Sequence, residues 1–249
     1  MAVLKRKMEN GLFTLQFNRP EKRNAINFAI MDELNQSLSE AAENDQIKVV
    51  MIRGSGDKAF CSGGDLSEFH ALKTEEEAWE MLSKMGGILY KLLTLPKPTI
   101  AFINGTAVGG GCEIAAACDF RWMKKEAKFG FVQGNQAITT GWGGGTILFE
   151  KLLPYTVLEM LSSARIYSAK EGFELGYINK IIEIESVESA LEDFLSKEVD
   201  VLMAYKKMLI RKWEQTQLRE RIIEEIKTCS KLWESEAHHA AVRRFITKI

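Results

Sequence analysis

The chain has 249 residues, enough for one large domain or a core with a small appendage, and its 46% hydrophobic and 27% charged content is ordinary for a globular protein. A net charge of -1 gives no electrostatic case for nucleic acid or an anionic membrane. Four cysteines without a CxxC pair and three histidines without zinc spacing argue against a disulfide framework and a metal site. The opening segment, MAVLKRKMENG, lacks a long apolar run. Neither a signal peptide nor a membrane span is expected, and reduced thiols in a cytoplasmic setting are.

In chain order, 12-LFTLQF-17 reads as a strand that stops at Asn18-Arg19-Pro20. Residues 28–42 carry Ile30, Leu34, Leu38 and Ala41 at helical spacing. The run 48-KVVMIR-53 reads as a buried strand closed by Gly54-Ser55-Gly56. Residues 75–93 read as a helix, broken by Pro96-Lys97-Pro98 before the strand 99-TIAFI-103. This alternation predicts ββα-type crossovers and an α/β core over 1–185. From about Ser186 the pattern is helical, giving a C-terminal helical subdomain over 186–249 with helices at 199–213, 215–235 and 236–248. Its charges, with His238 and His239, are expected on solvated helix faces, and His70 in an exposed loop.

Two glycine-rich segments stand out, 58-KAFCSGGDLSEF-69 and 105-GTAVGGGCEIAAACD-119. Each is expected to follow a predicted strand, 49–52 and 99–103 respectively, and to open a helix. Glycine lets a ligand approach backbone N–H groups, and a helix start adds unpaired donors and a positive dipole end. Two such turns side by side would give one oxygen two donors, an oxyanion hole suited to an enolate. Neither GxxxxGK[ST] nor a GxGxxG after a strand is present, which excludes the common phosphate-binding fingerprints.

The pair AFCSGGDL and NGTAVGGGCEIAAACD resembles the crotonase superfamily, the enoyl-CoA hydratase/isomerase family. So do 17-FNRPEKRNAIN-27, 126-EAKFGF-131, 141-GWGGGT-146 and 168-SAKEGFELGYINKII-182, in order and spacing. The resemblance spans roughly residues 10–185. It implies a crotonase (ClpP/crotonase-like) repeated ββα superhelix core and assembly as a homotrimer or a dimer of trimers. It implies an acyl-CoA thioester substrate, so coenzyme A is part of the substrate and no separate cofactor is required. By the same resemblance Gly64 and Gly110 are the oxyanion donors, and Ser62 marks the adenine side of coenzyme A. Lys22 and Arg23 fall on the phosphate side, with Ala25, Phe69 and Trp142 on the substrate side. Lys248 is placed where it would reach a coenzyme A phosphate across a subunit boundary.

The chain departs from the hydratase pattern at one position. Hydratases of this family use two glutamates around a water. Glu113 matches the first, one helical turn beyond Gly110. The second falls on Gln133, which has no accessible proton equilibrium near neutral pH. The segments CDFRWM, FVQ and GWGGGT look more like ethylmalonyl-CoA decarboxylases, although these show a histidine where Gln133 stands. A malonyl-type thioester needs no general base to lose carbon dioxide, and its enolate would lie between the Gly64 and Gly110 amides. A glutamate at 133 would repel the substrate carboxylate by about 4 kcal/mol at a separation of about 4 Å and an effective dielectric of about 20, and Gln133 removes that cost. Trp142 and Phe131 are expected to form an apolar wall around the carboxylate. The sequence therefore favours decarboxylation of a short alkylmalonyl-CoA. The alternatives are a hydratase using Glu113 as sole carboxylate and a non-catalytic CoA-binding scaffold.

Overall fold

A computed structural model describes residues 2–247. The chain opens with an antiparallel hairpin, β1 (Leu4–Glu9) and β2 (Leu12–Phe17). Asn10 and Gly11 turn it, both at positive φ, the combination a two-residue hairpin requires. The sequence reading missed β1 because only Leu4 of that strand is buried, leaving no apolar alternation.

After helix α1 (Phe28–Glu43), three units repeat one plan. In each, a first strand enters a large sheet, a second enters a small sheet, and a helical segment follows. The first unit is β3 (Val49–Gly54), β4 (Ala59–Cys61) and the helices α2 (Leu66–Phe69) and α3 (Glu75–Leu93). The second is β5 (Thr99–Ile103), β6 (Thr106–Val108) and α4 (Gly110–Ala117). The third is β7 (Phe120–Met123), β8 (Lys128–Gly130) and a 3-10 turn, Val132–Gln136. Helices α5 (Gly144–Lys151) and α6 (Pro154–Ser163) follow, then β9 (Tyr167–Ser168), α7 (Ala169–Glu174) and β10 (Lys180–Ile181). The large sheet has the order β1-β2-β3-β5-β7-β10, parallel from β2 onward. The small sheet has the order β4-β6-β8-β9, its first three strands parallel. This is the repeated ββα core expected from the sequence.

One detail corrects the sequence reading. The glycine turns do not follow β3 and β5 directly; the short strands β4 and β6 intervene. Three-residue strands are too short to show a period. Their effect is decisive, because Gly64, Gly110 and Gln133 each lie just past the end of a neighbouring parallel strand: β4, β6 and β8. The carboxyl edge of a parallel sheet is where such folds place ligands.

The strands β3 and β5 are buried on both faces, hence their continuous apolar runs. The inner face packs on α1 and α3, through Ile30, Leu34 and Leu38 and through Met81, Met85 and Leu89. The outer face is covered by helix α8 (Val187–Leu195), whose Val187 and Leu191 meet Met51, Ile100 and Trp122. Helices α9 (Val199–Gln215), α10 (Leu218–Trp233) and α11 (Glu236–Ile246) complete the chain. Helix α10 lies against α3 and α5 of the same protomer, with Ile222, Ile226 and Trp233 buried. Among the described residues no helix is long and apolar enough to cross a membrane.

Two expectations about the C-terminal charges fail here. Lys206 of α9 is buried and ion-paired with Asp119, which also accepts from the amide and hydroxyl of Thr99. His238 is buried too; its Nδ1 lies 2.7 Å from the Gln136 carbonyl oxygen and its ring packs on Trp233. It ties α11 to the 3-10 turn that carries Gln133.

Candidate active site

The first turn is built by the segment 19–26. Asn24 is fully buried: its side-chain nitrogen donates to the carbonyls of Ser55 and Ala59, and its oxygen accepts from the Arg19 amide. Arg23 and Asn24 take left-handed φ values, which swing the chain so that Ile26 pairs with the turn after β4. The Ile26 amide donates to the Gly63 carbonyl at 2.8 Å, and the Asp65 amide donates back to Ile26 at 2.8 Å. Arg19 and Asp65 close the arrangement with an ion pair at 2.7 Å. The NRPEKRNA stretch is thus the brace that holds Gly64 in place. Among the described residues no backbone bond of a turn or loop engages the Gly64 amide.

The second turn abuts the first. A methyl placed on Gly111 would fall 2.2 Å from the Cys61 carbonyl oxygen, so only glycine lets the two backbones touch. Gly110 is the first residue of α4, so its N–H is one of the donors that a helix leaves unpaired. Two adjacent turns with free amides are the geometry of an oxyanion hole.

Trp142 lies over both donors. A methyl on Gly110 would meet its ring at 2.1 Å, and one on Gly64 would come within 3.8 Å. The indole is 4% exposed and forms an apolar wall beside the hole, as expected. Phe69 backs Gly64 from the other side and is buried. Phe131 is also buried, edge-on to Tyr177, and lines a separate cavity rather than the space over Gly110.

Glu113 is 2% exposed and accepts four hydrogen bonds. Its Oε1 takes the Gln133 side-chain nitrogen at 2.8 Å and the Gly141 amide at 3.3 Å; its Oε2 takes the amides of Trp142 at 2.8 Å and Gly144 at 2.9 Å. It therefore fills the start of α5 rather than of its own helix. Burial, then the nearby Glu225 carboxylate, push its pKa up to about 7, against the opposing pull of the amides. Gln133 faces Glu113, to which its side-chain nitrogen donates, and its Oε1 is buried without a partner.

Behind Gln133 opens a cavity of about 460 Å³, walled by Phe131, Gln133, Thr140, Thr146, Glu225 and Thr228 among others. Glu225 was not anticipated. It sits three residues after Ile222 and four before Cys229, both buried, so it lies on the apolar stripe of α10. That position was the available signal, obscured by the surrounding run of charges.

The remaining expected residues divide. Lys22 and Arg23 are exposed, and Ser62 is half-buried beside them, its amide bonded to the Arg23 carbonyl at 3.1 Å. Ala25 is buried in the same brace. All four border the Gly64 turn, and Lys22, Arg23 and Ser62 are accessible on its outer side. Lys248 lies outside the described residues. The CDFRWM stretch is structural: Asp119 pairs with Lys206, and Arg121 binds the carbonyls of Tyr177 and Cys118.

Residues 7–249 match the family model described as enoyl-CoA hydratase/isomerase. Crotonyl-CoA hydratase of Syntrophomonas wolfei is 33% identical over 180 residues, covering 72% of this chain and 68% of that one. Ethylmalonyl-CoA decarboxylase of Xenopus tropicalis is 31% identical over 215 residues, covering 84% and 72%. The crystal structure of enoyl-CoA hydratase from Bacillus halodurans superposes with a TM-score of 0.89 over 97% of this chain and 99% of that one, at 21% identity, a likeness of fold. With paired glycine turns at the ends of β4 and β6 and a buried glutamate one turn beyond the second, the chain belongs to the enoyl-CoA hydratase/isomerase family, the crotonase superfamily.

Proposed function

We propose that this enzyme decarboxylates a short alkylmalonyl-CoA. The observation that carries the reading is the contact between Gln133 and Glu113. A neutral amide occupies the place of the hydratases' second glutamate, turned toward the first. Relatives named ethylmalonyl-CoA decarboxylase support the same direction.

The thioester carbonyl oxygen binds the amides of Gly64 and Gly110. The bond from C2 to the carboxylate carbon breaks, its electron pair moves into the C1–C2 bond, and negative charge collects on the thioester oxygen. Both amides face that oxygen, where charge develops, so they stabilise the transition state more than the ground state. Trp142 keeps water from the leaving carboxylate. Carbon dioxide departs and C2 takes one proton. Glu113, with a pKa of about 7, holds that proton in a good fraction of molecules at neutral pH. Solvent restores it, so one proton is consumed per carbon dioxide released.

Lys22, Arg23 and Ser62 would meet the coenzyme A moiety on the outer side of the Gly64 turn. The protein acts as a homo-oligomer, a trimer or dimer of trimers. Leu153, Tyr155 and Leu158 at α6, and separately Tyr205 and Met208 on α9, are large apolar side chains exposed in the single chain, which supports burial against a second copy. Four free, buried cysteines are in keeping with a reducing cytoplasm.

Gln133→Glu tests the reading. It should depress carbon dioxide release from ethylmalonyl-CoA by about 100-fold or more, by restoring repulsion of the substrate carboxylate, and should raise hydration of crotonyl-CoA. An unchanged ratio of the two activities would contradict it.

A further inference from the structure

Glu225 plays no part in the steps above, yet it is built into the same structure as Glu113. Its carboxylate accepts from the Thr140 hydroxyl at 2.6 Å, the Gly145 amide at 3.1 Å and the Thr146 amide at 2.6 Å. Glu113 accepts from the amides of Gly141, Trp142 and Gly144. All these donors come from the single turn 140–146 and the start of α5. They alternate so closely that Gly144 serves one carboxylate and Gly145 the next. A turn held this way fixes the two acids relative to each other.

Their surroundings differ. Glu225 lines the 460 Å³ cavity and is half-buried, whereas Glu113 is 2% exposed. The other titratable groups facing Glu113 are Cys112 on its own helix and Cys229 on α10, with Cys61 and Tyr177 behind Cys112. Burial raises all four further above neutrality, so they carry no charge there. The acid that acts on Glu113 is Glu225, whose own pKa burial raises while its donors Thr140, Thr146 and Gly145 favour the ionised form.

We propose that Glu225 is a positioning residue that acts through Glu113, coupling the C-terminal helix α10 to the proton that Glu113 delivers. When α10 is docked, its carboxylate disfavours a second negative charge on the shared turn, and Glu113 keeps its proton. Without the Glu225 charge, Glu113 loses that opposition and gives up its proton more readily, although its burial still raises its pKa. The site is thus armed as an acid by the element that covers it. The inference rests on Glu113 as proton donor and holds for any enolate formed at Gly64 and Gly110.

The test combines two readouts on the full chain. In the pH profile of turnover, activity that needs protonated Glu113 falls as pH rises through the pKa of that group. Glu225→Gln keeps the shape and removes the charge, so this limb should move to lower pH by about one unit, with the low-pH plateau changed less than about threefold. Thr140→Val removes one donor to Glu225 and weakens its charge, so it should move the limb the same way by less. A folded Glu225→Gln protein whose limb stays in place would overturn the proposal, and where that variant fails to fold, an unmoved limb in Thr140→Val does so. The second readout needs no substrate: melting temperature against pH for Glu113→Gln, Glu225→Gln and the double variant. Coupling predicts that Glu225→Gln changes the pH slope less in the Glu113→Gln background than in the native chain. Equal changes would overturn coupling whatever reaction the enzyme performs.

Discussion

Two turns of this chain read almost alike, 109-GGG-111 ahead of α4 and 143-GGG-145 ahead of α5, and the structure uses them in opposite ways. Each opens an eight-residue helix, and each first glycine has a positive φ. The first turn is pressed against the Gly63–Gly64 turn and leaves the Gly110 amide for a ligand. The second is filled from within, because Glu113 and Glu225 take its amides. A helix start attracts an anion in either case. What differs is whether the protein supplies that anion. The open turn binds the charge that appears in the reaction, and the filled turn stores the carboxylate that gives the proton.

The largest effect expected from breaking this contrast is at the open turn. Gly110→Pro deletes the donor, while proline is well tolerated at the first position of a helix. Any side chain there also meets Trp142, so the comparison belongs in a Trp142→Ala background. In that background Gly110→Ala, which keeps its N–H, should retain most of the turnover. Gly110→Pro should lose about 100-fold to 1000-fold, measured as kcat with the fold checked by circular dichroism.

Next comes the filled turn. Glu113→Gln keeps the shape and one of the two acceptor oxygens but has no proton to deliver, and should cost about 100-fold or more in kcat. It should also change stability against pH. The folded pKa of about 7 lies above the unfolded value near 4.5, so the folded state binds this proton more tightly. Stability from this group is therefore fully present below pH 4.5 and is lost as pH rises through about 7. The loss is of order 3 kcal/mol at most. Denaturant melts at pH 5 and pH 8 should differ less in Glu113→Gln than in the native chain. A native chain equally stable at both would show that Glu113 is ionised throughout.

The smallest effect concerns Trp142, which touches both turns, through its indole on Gly110 and its amide on Glu113. Trp142→Phe keeps the amide and shortens the wall. It should widen tolerance for the C2 substituent by about 10-fold per added methylene, read as relative kcat/KM for methyl-, ethyl- and propylmalonyl thioesters.

Much of this contrast was legible in the residues. The strands β2, β3 and β5 and the helices α1 and α3 show their periods plainly, since each buries a stripe or a continuous run. The Gly64–Gly110 pair and Glu113 follow from glycine chemistry and a helical turn, and Gln133 from its distance beyond Glu113. The strands β4, β6 and β8 are too short to show periodicity, although they bring the three site segments together. Glu225 and Lys206 were hidden for another reason. A charged residue on an amphipathic helix is ordinarily solvated, and only the partner across the fold, Asp119 for Lys206 or the turn 140–146 for Glu225, shows why it turns inward. His238 is the same case, paired with a carbonyl over a hundred residues away.

The most direct measurement of the central claim is a mass-spectrometric turnover screen of the purified protein against methylmalonyl-CoA, ethylmalonyl-CoA and crotonyl-CoA, recording substrate loss and product mass together. The expected result is loss of carbon dioxide from the malonyl thioesters, ethylmalonyl-CoA included, with crotonyl-CoA unchanged. Addition of water to crotonyl-CoA with the malonyl thioesters intact would contradict the account, because Glu113 would then be serving a hydratase despite the neutral Gln133 beside it.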